Sequence, residues 1–187
     1  FLATLRIIDF DRDEVDVAIR FGLGHDKEVY SRPLIDEWMT PMMTPEMAEN
    51  IDTPEKLAQA TLIHDDSISF FKVPTGWDAW CKVADVNVDT SHGPRFSQAD
   101  HAIDAAIAGA GVVLGRVSLA TRALEAGRLV APFEVGLISD AQFRFICPPG
   151  NEKRPHIAAF EAWVLEEIQT SKRFADGRRL VRAGDSL

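Results

Sequence analysis

Cysteine is scarce in this sequence: its 187 residues include only two, Cys81 and Cys147. They stand far apart and in unlike contexts, which favours two separate thiols over a disulfide or a pair of metal ligands. Because unpaired cysteine is among the residue types most often buried, we expect both thiols to be reduced and to lie inside the protein.

Basic residues are outnumbered, with 20 Lys and Arg against 29 Asp and Glu and a formal net charge of −9. Such a chain repels a phosphate backbone, so by itself it is not expected to bind DNA. The sequence also lacks an apolar run of about eighteen residues, which argues against a membrane partner or span. Charge appears from Arg6 onward, so we expect no signal peptide and predict a cytoplasmic location.

Catalytic signatures are absent as well. The sequence contains none of the patterns G-x-S-x-G, H-E-x-x-H, G-x-x-x-x-G-K-[ST] or C-x-x-C, so we predict no enzymatic activity and no cofactor. His64, Asp65 and Asp66 are adjacent and lack a second His or Cys cluster, so we predict no metal site there. Two interpretations stay open for them, the lining of a binding cleft or a solvated loop.

The sequence does contain alternating strand-like and helix-like segments, which predict an α/β fold. Residues 15–21 (VDVAIRF) form a near-continuous apolar run after a helix-like stretch, 9–14, and are expected to be a buried parallel strand. Other segments follow from apolar spacing, caps and glycine stops. The extended ones are 35–43, 112–114, 129–132 and 142–147, and the helical ones are 44–51, 53–60, 77–83, 97–110, 119–126 and 156–168.

The stretch GAGVVLG at residues 109–115 resembles the glycine spacing of phosphate-binding loops. A helix is predicted before it and a short apolar strand after its second glycine, so the order is helix, glycine turn, strand. A dinucleotide site needs the opposite order, with the pyrophosphate on the N–H groups that open the helix. The glycines are therefore interpreted as a helix stop and a closely packed turn.

Ligand contacts are predicted at strand ends and helix starts, where α/β folds collect ligand groups. Ser97 is predicted to cap the helix that follows, with Asp100 three residues on, leaving backbone N–H groups of the first turn free; Ser97 as a cap alone stays an alternative. Trp77 and Trp80, at helical spacing, are interpreted as core rather than as a ligand stack. The predicted ligand-binding residues are Phe21, Gly22, His64, Asp65, Ser97, Gln98, Ala99, Arg116 and Val117.

Five segments of the sequence form a recognisable series. They are VDVAIRFG at 15–22, PLIDEWMTPMMTPEMA at 33–48, TPEKLAQATLIHDD at 53–66, W-x-x-W at 77–80 and AIAGAGVVLGRVSLATRALEAGRLVAPF at 106–133. Together they resemble the effector-binding domain of LysR-type transcriptional regulators, in the branch that includes the glycine-cleavage activator and the regulator of inducible beta-lactamase. The resemblance extends over nearly all of residues 8–168.

The resemblance implies a fold and a mode of action. The fold is periplasmic-binding-protein-like (type 2), with two lobes joined by two crossing strands and a small-molecule effector bound between them. Lobe I is predicted at residues 1–38 and 145–170, lobe II at 39–144, and a loose polar tail at 171–187. A homo-oligomer, dimer or tetramer, is also implied, with DNA contacted only through an N-terminal winged helix-turn-helix that has no counterpart here.

The sequence departs from the family pattern in two respects. The strand–helix unit that opens lobe I has no counterpart, since only FLATLRI precedes the matching region. Ser97-Gln98 stands where the family usually has an acidic or serine residue after the Phe that Phe96 matches, so an effector cannot be copied from a relative. The alternatives are a solute-binding protein of a transporter and an enzyme on the same two-lobed fold; the series of segments favours the regulator.

Overall fold

The protein is described by a computed structural model over residues 2–4, 6–24, 28–69 and 75–182. The chain divides into two compact units: unit 1 comprises Phe1–Asp36 and Ala141–Thr170, and unit 2 comprises Glu37–Asp140 and Ser171–Leu187. Two strands of thirteen residues, β2 (Tyr30–Met42) and β6 (Val135–Cys147), each contain one of the unit boundaries.

Unit 1 is built on an antiparallel pair of strands and one long helix. The strand β1 (Ala18–Gly22) pairs with the last part of β6, and the rings of Phe21 and Phe143, which lie opposite each other, are 4.9 Å apart. The helix α5 (Pro155–Glu167) begins with proline, which suits the first turn because its missing N–H is not needed there. The buried core of the unit consists of Leu34, Phe145, Cys147, Ile157 and Val164.

The prediction of a buried parallel strand at residues 15–21 is wrong in two ways. The strand occupies Ala18–Gly22 and runs antiparallel to β6, and its side chains are mostly half-buried, with Ile19 47% exposed. In the described part of the chain β6 is its only strand neighbour. An apolar run fits a strand covered on both faces, but it does not reveal the direction of the partner, which is a non-local property.

Unit 2 carries a mixed sheet. The strand β3 (Leu62–Asp65) lies between β5 (Val112–Arg116) and the two-residue strand β4 (Arg95–Phe96), parallel to both, and β5 pairs antiparallel with Met39–Met42 of β2. Parallel strands end at the same side of a sheet. We therefore name the carboxyl ends of β3, β4 and β5, at Asp65, Phe96 and Arg116, the strand-end edge.

Unit 2 also contains several helices. They are α1 (Pro45–Ala48), a 3-10 helix (Pro54–Gln59), α2 (Trp77–Ala84), α3 (Ala99–Ile107), α4 (Val117–Glu125), α6 (Gln169–Lys172, which begins in unit 1) and a 3-10 turn (Arg173–Ala175). The buried cluster that α3 and α4 form with the sheet comprises Trp38, Met42, Ile63, Ala102, Ile103, Ala106, Val113, Val117, Ala120, Ala123 and Leu129. Thr44 caps α1 by accepting a hydrogen bond from the Met47 backbone N–H.

The glycine stretch has the predicted order of helix, turn and strand. α3 ends at Ile107, Gly109 has φ +78°, and β5 begins at Val112. A Cβ at Gly111 would overlap the backbone carbonyl oxygen of Thr61, to which the Val112 N–H donates at 2.9 Å. The close approach of two backbones, rather than a ligand, accounts for this glycine.

The expectation of a loose tail at residues 171–187 is wrong for its described part. Residues Arg179–Arg182 form β7, parallel to β6, and Arg178 donates to the carbonyl oxygens of Ala131, Phe133 and Phe174. The segment is held by partners distant in sequence, which a local pattern does not reveal. Residues 183–187 lie outside the described residues.

Two shorter predictions also fail. Residues 129–132 contribute a single bridge, Val130 to Met43, instead of a strand, and residues 9–14 form turns instead of a helix. The tryptophan prediction is confirmed, since Trp77 and Trp80 are 2% and 0% exposed and their indole N–H groups donate to backbone carbonyls. Among the described residues no helix has both the length and the apolar character to cross a bilayer.

Both cysteines are buried free thiols, as predicted. Burial, with a smaller contribution from the Asp78 carboxylate, raises the pKa of Cys81 to about 11. Burial also raises the pKa of Cys147. Thiols that resist ionisation are poor nucleophiles and poor metal ligands, which fits a structural role for both.

Candidate functional site

The strand-end edge of unit 2 brings together several of the predicted ligand-binding residues. His64 and Asp65 end β3, Arg116 ends β5, and Val117 opens α4 directly after it. Gln98 and Ala99 open α3, one residue beyond Ser97, which follows β4. Strand pairing explains the assembly, because residues 62 and 63 lie beside residues 112 and 113.

Asp65 and Arg116 form a buried ion pair at this edge. The carboxylate oxygen and the guanidinium Nε are 3.6 Å apart, and the two side chains are 8% and 9% exposed. Taking both charges out of water costs several kcal/mol per ion, a cost that a contact of this length does not clearly repay. The pair is therefore a poor stabilising device and a good candidate for a binding role.

Asp66 and Arg95 form a second, more exposed ion pair, next to the buried His64. Arg95 donates to both carboxylate oxygens of Asp66, at 2.9 and 2.6 Å, and this hydrogen bonding raises the pKa of the Arg95 guanidinium. His64 Nδ1 lies 3.4 Å from Arg95 Nη1 and its Nε2 lies 3.1 Å from the His92 carbonyl oxygen. With a proton on Nε2, that atom donates to the His92 carbonyl oxygen while Nδ1 accepts from Arg95.

Glu37, a residue that sequence analysis did not select, also reaches this region. Its carboxyl group accepts hydrogen bonds from the backbone N–H and the hydroxyl of Ser118, in the first turn of α4. Burial raises the pKa of Glu37, against the opposing influences of Ser118 and Arg116. An acid in the apolar stretch IDEWM was the available signal, since buried carboxyl groups are rare without partners.

A small cavity among the described residues of unit 2 has a richer chemistry than a larger groove in the same unit. A cavity of about 50 Å³ is lined by the charged or polar residues His64, Asp65, Asp66 and Arg95, by Thr75 and Gly76, and by the apolar residues Met39, Ile68, Trp77 and Leu114. A groove of about 440 Å³ lies at the far end of α3, beside Thr44 and Gly109. Binding sites are marked by convergent polar groups as well as by volume, so we favour the smaller cavity despite its size.

Ser97 does not cap α3, and the prediction that it does is wrong. The helix begins one residue later, with Gln98 at the N-cap position in an extended conformation and without a side-chain cap hydrogen bond. Pairing of Phe96 with Asp65 keeps the chain extended up to residue 96, which delays the turn into the helix. Ser97 and Gln98 are exposed, whereas Ala99 is 5% exposed, so Ala99 offers its backbone rather than its side chain.

The remaining candidates differ in what they can offer a ligand. Val117 is 2% exposed and belongs to the core, so only its backbone is available. Phe21 and Gly22 lie at the end of β1 in unit 1, half-buried, with the Phe21 ring against Phe143. No three His, Cys, Asp or Glu side chains of the described ranges come together as a set of metal ligands.

Solved structures share this fold. The effector domain of the transcriptional regulator AmpR of Pseudomonas aeruginosa matches with a TM-score of 0.66 and 23% identity, covering 91% of this chain and 79% of that one. The AmpR effector binding domain from Citrobacter freundii matches with a TM-score of 0.68 and 22% identity, covering 87% and 79%. The protein thus has the type 2 periplasmic-binding-protein-like fold of these α/β effector-binding domains.

The chain belongs to the LysR substrate binding domain family, whose model matches residues 3–169. The glycine cleavage system transcriptional activator of Escherichia coli K12 is 34% identical over 157 residues, covering 82% of this chain and 50% of the relative. The regulator DsdC of the same strain is 31% identical over 168 residues, covering 88% and 54%. The chain, an effector-binding domain of LysR type, spans about half the length of these curated relatives.

Proposed function

We propose that the strand-end edge of unit 2 binds a small-molecule effector, and that binding regulates transcription by a longer protein of which this chain is the sensing part. The single observation that carries the proposal is the buried Asp65–Arg116 pair. In a family whose domain binds effectors, a desolvated cation and anion beside a cavity are ready partners for a polar ligand.

The contacts proposed for the effector use backbone and side chains together. Arg116 and Asp65 supply charge, and the first turns of α3 and α4 supply backbone N–H groups with partial positive charge. Phe21 and Gly22 of unit 1 stay predicted contacts, as does His64. Each of these groups meets a ligand at the end of a strand or the start of a helix, as α/β folds commonly arrange.

The proposed mechanism is a shift of population between conformations. An effector that makes its contacts in only one conformation stabilises that conformation by the difference in its binding free energy. In the longer protein, a homo-oligomer on this proposal, the shift changes how DNA-binding heads engage a promoter. The lobes proposed for it remain residues 1–38 with 145–170, and residues 39–144, in a cytoplasmic protein without enzymatic activity.

A thermal-shift screen tests this function. The panel consists of amino acids, small carboxylic acids and cell-wall fragments, each added to the wild-type chain and to a Glu125→Gln control, which alters an exposed ion pair with Arg173 that does not line the cavity. A compound at a hundred times its Kd stabilises the native state by about 2.7 kcal/mol. At about 2–4 °C per kcal/mol for a chain of this size, the melting temperature rises by roughly 5–10 °C in both proteins. A panel without any stabilising compound would contradict the proposal.

A further inference from the structure

Glu37 is a buried acid whose carboxyl group serves a helix start. The residue is 1% exposed. Oε1 accepts hydrogen bonds from its neighbour Trp38 N–H at 3.2 Å and from Ser118 N–H at 3.3 Å, and Oε2 accepts one from the Ser118 hydroxyl. The N-cap residue of α4, Arg116, makes no side-chain cap hydrogen bond. A carboxyl group from another strand therefore performs the task that an N-cap side chain usually performs.

Arg116 connects this acid with the candidate effector site. Its guanidinium pairs with Asp65, and its charge also acts on the Glu37 carboxyl group. The charged group that acts on Glu37 is thus Arg116 of β5, which in turn pairs with Asp65 of β3. Residues from three strands, β2, β3 and β5, thus form one buried polar region. A change at Glu37 therefore alters the electrostatic surroundings of both Arg116 and Asp65.

The surroundings of the Glu37 carboxyl group raise its pKa. Burial has the largest influence and raises the pKa above the ordinary value of 4.5, while the Ser118 hydrogen bonds and the Arg116 charge lower it by less. The native state thus keeps this proton to a higher pH than the unfolded chain does. The free energy of unfolding therefore falls as the pH rises from about 4.5 to the folded-state pKa, and this contribution is level above it.

We propose that Glu37 is the positioning residue of the candidate effector site: it fixes the first turn of α4, which begins directly after Arg116. The inference rests on the proposed function, because it concerns how Arg116, Asp65 and Val117 are held ready for an effector. Glu37 acts through these groups and does not itself contact the effector. Its exposed neighbour on the same strand, Asp36, offers a matched control.

The test needs no effector. Amide hydrogen exchange and NMR shifts are measured for Glu37→Ala, Glu37→Gln and Asp36→Asn. Glu37→Ala should raise exchange at the Ser118 amide about tenfold, whereas the other two stay within about twofold, because glutamine keeps the shape and the acceptor oxygen. The Ser118 amide shift should titrate with pH in the wild type and in Asp36→Asn, and should be independent of pH in Glu37→Gln.

Three results would overturn the positioning role: an unchanged Ser118 amide in Glu37→Ala, equal loss of protection throughout unit 2, or a Ser118 shift that still titrates in Glu37→Gln. If Glu37→Ala does not fold, the titration in the wild type and Glu37→Gln decides alone. Failure here leaves effector binding untouched, since the melting screen measures it separately. A screen without a stabilising compound would instead remove the proposed function and leave these local shifts as expected.

Discussion

Asp65 and Asp66 are adjacent, and each pairs with an arginine, yet the two pairs lie in different surroundings. The Asp66–Arg95 pair has the better geometry, with a shortest N–O distance of 2.6 Å, but its side chains are 34% and 57% exposed. The Asp65–Arg116 pair is longer, at 3.6 Å, and its side chains are 8% and 9% exposed. The two pairs differ in both respects: the exposed pair has the shorter contact and the buried pair the longer one.

This difference in solvent exposure determines how much each ion pair contributes to stability. Water and salt screen the exposed pair, so it contributes little in spite of its short contacts. The buried pair has a desolvation cost that a hydrophobic pair would avoid, and yet removal of one partner takes from the other its opposite charge in a buried place. An arrangement that is costly to keep and costly to break fits a site that meets a polar ligand.

The largest effect is expected when the buried pair is broken. Asp65→Ala should lower the free energy of unfolding by about 3 kcal/mol, the low end for a buried ion pair, because Glu37 remains near Arg116. Urea unfolding at neutral pH measures the change, with Asp66→Ala as the matched control. A loss below about 1 kcal/mol is what an exposed ion pair gives, and it would contradict the distinction drawn between the buried pair and the exposed pair.

Backbone contact between β3 and β5, the strands that carry the buried pair, gives the next effect. Gly111→Ala should cost about 1–3 kcal/mol, because the new Cβ meets the Thr61 carbonyl oxygen, which belongs to rigid backbone. Gly109→Ala is the control: its Cβ would meet no atom within 4 Å, and only its φ of +78° is unfavourable, at about 1 kcal/mol. Equal melting temperatures for the two variants would show that the close approach is unimportant.

The exposed pair should give a smaller, salt-dependent effect. Asp66→Ala is expected to cost roughly 0.2–1 kcal/mol at low ionic strength and less in 1 M salt, since the Debye length falls to about 3 Å there. Unfolding curves at two salt concentrations measure it. A cost above about 2 kcal/mol that persists in high salt would mean that Asp66 behaves like Asp65.

The smallest effect is expected at Ser97, which lies at the same edge without a cap hydrogen bond. Ser97→Ala should change the free energy of unfolding by less than about 0.5 kcal/mol. Thr44→Ala, which removes the cap of α1, should cost about 1 kcal/mol and serves as the control. If the Ser97 variant loses as much as the Thr44 variant, Ser97 supports the edge in a way that its exposure does not indicate.

Local sequence patterns predicted those helices and strands that interactions between residues close in sequence determine. The apolar spacing before Gly109 and the short run after Gly111 indicated α3 and β5, and both are present. The direction of β1 and the pairing of residues 179–182 with β6 depend on partners distant in the sequence. A chain read one segment at a time contains no information on those partners, which explains the errors at β1 and β7.

The candidate site, too, was predicted only in part from the sequence. Positions at strand ends and helix starts follow from the order of elements, so Asp65 and Arg116 were predicted. Their pairing, and the part played by Glu37, depend on burial and on the register of β2, β3 and β5. The sequence showed an acid among apolar residues but not that its partner would be Ser118, 81 positions further on.

Amide shift mapping tests the central claim, that effector binds at the strand-end edge, most directly. The panel compound that raises the melting temperature most is titrated into the labelled chain, and perturbed amides are located. The account predicts shifts centred on residues 64–65, 97–99 and 116–117. Shifts centred on the larger groove would contradict it, and that groove is lined by Thr44, Glu46, Met47, Asn50, Ile107, Ala108 and Gly109.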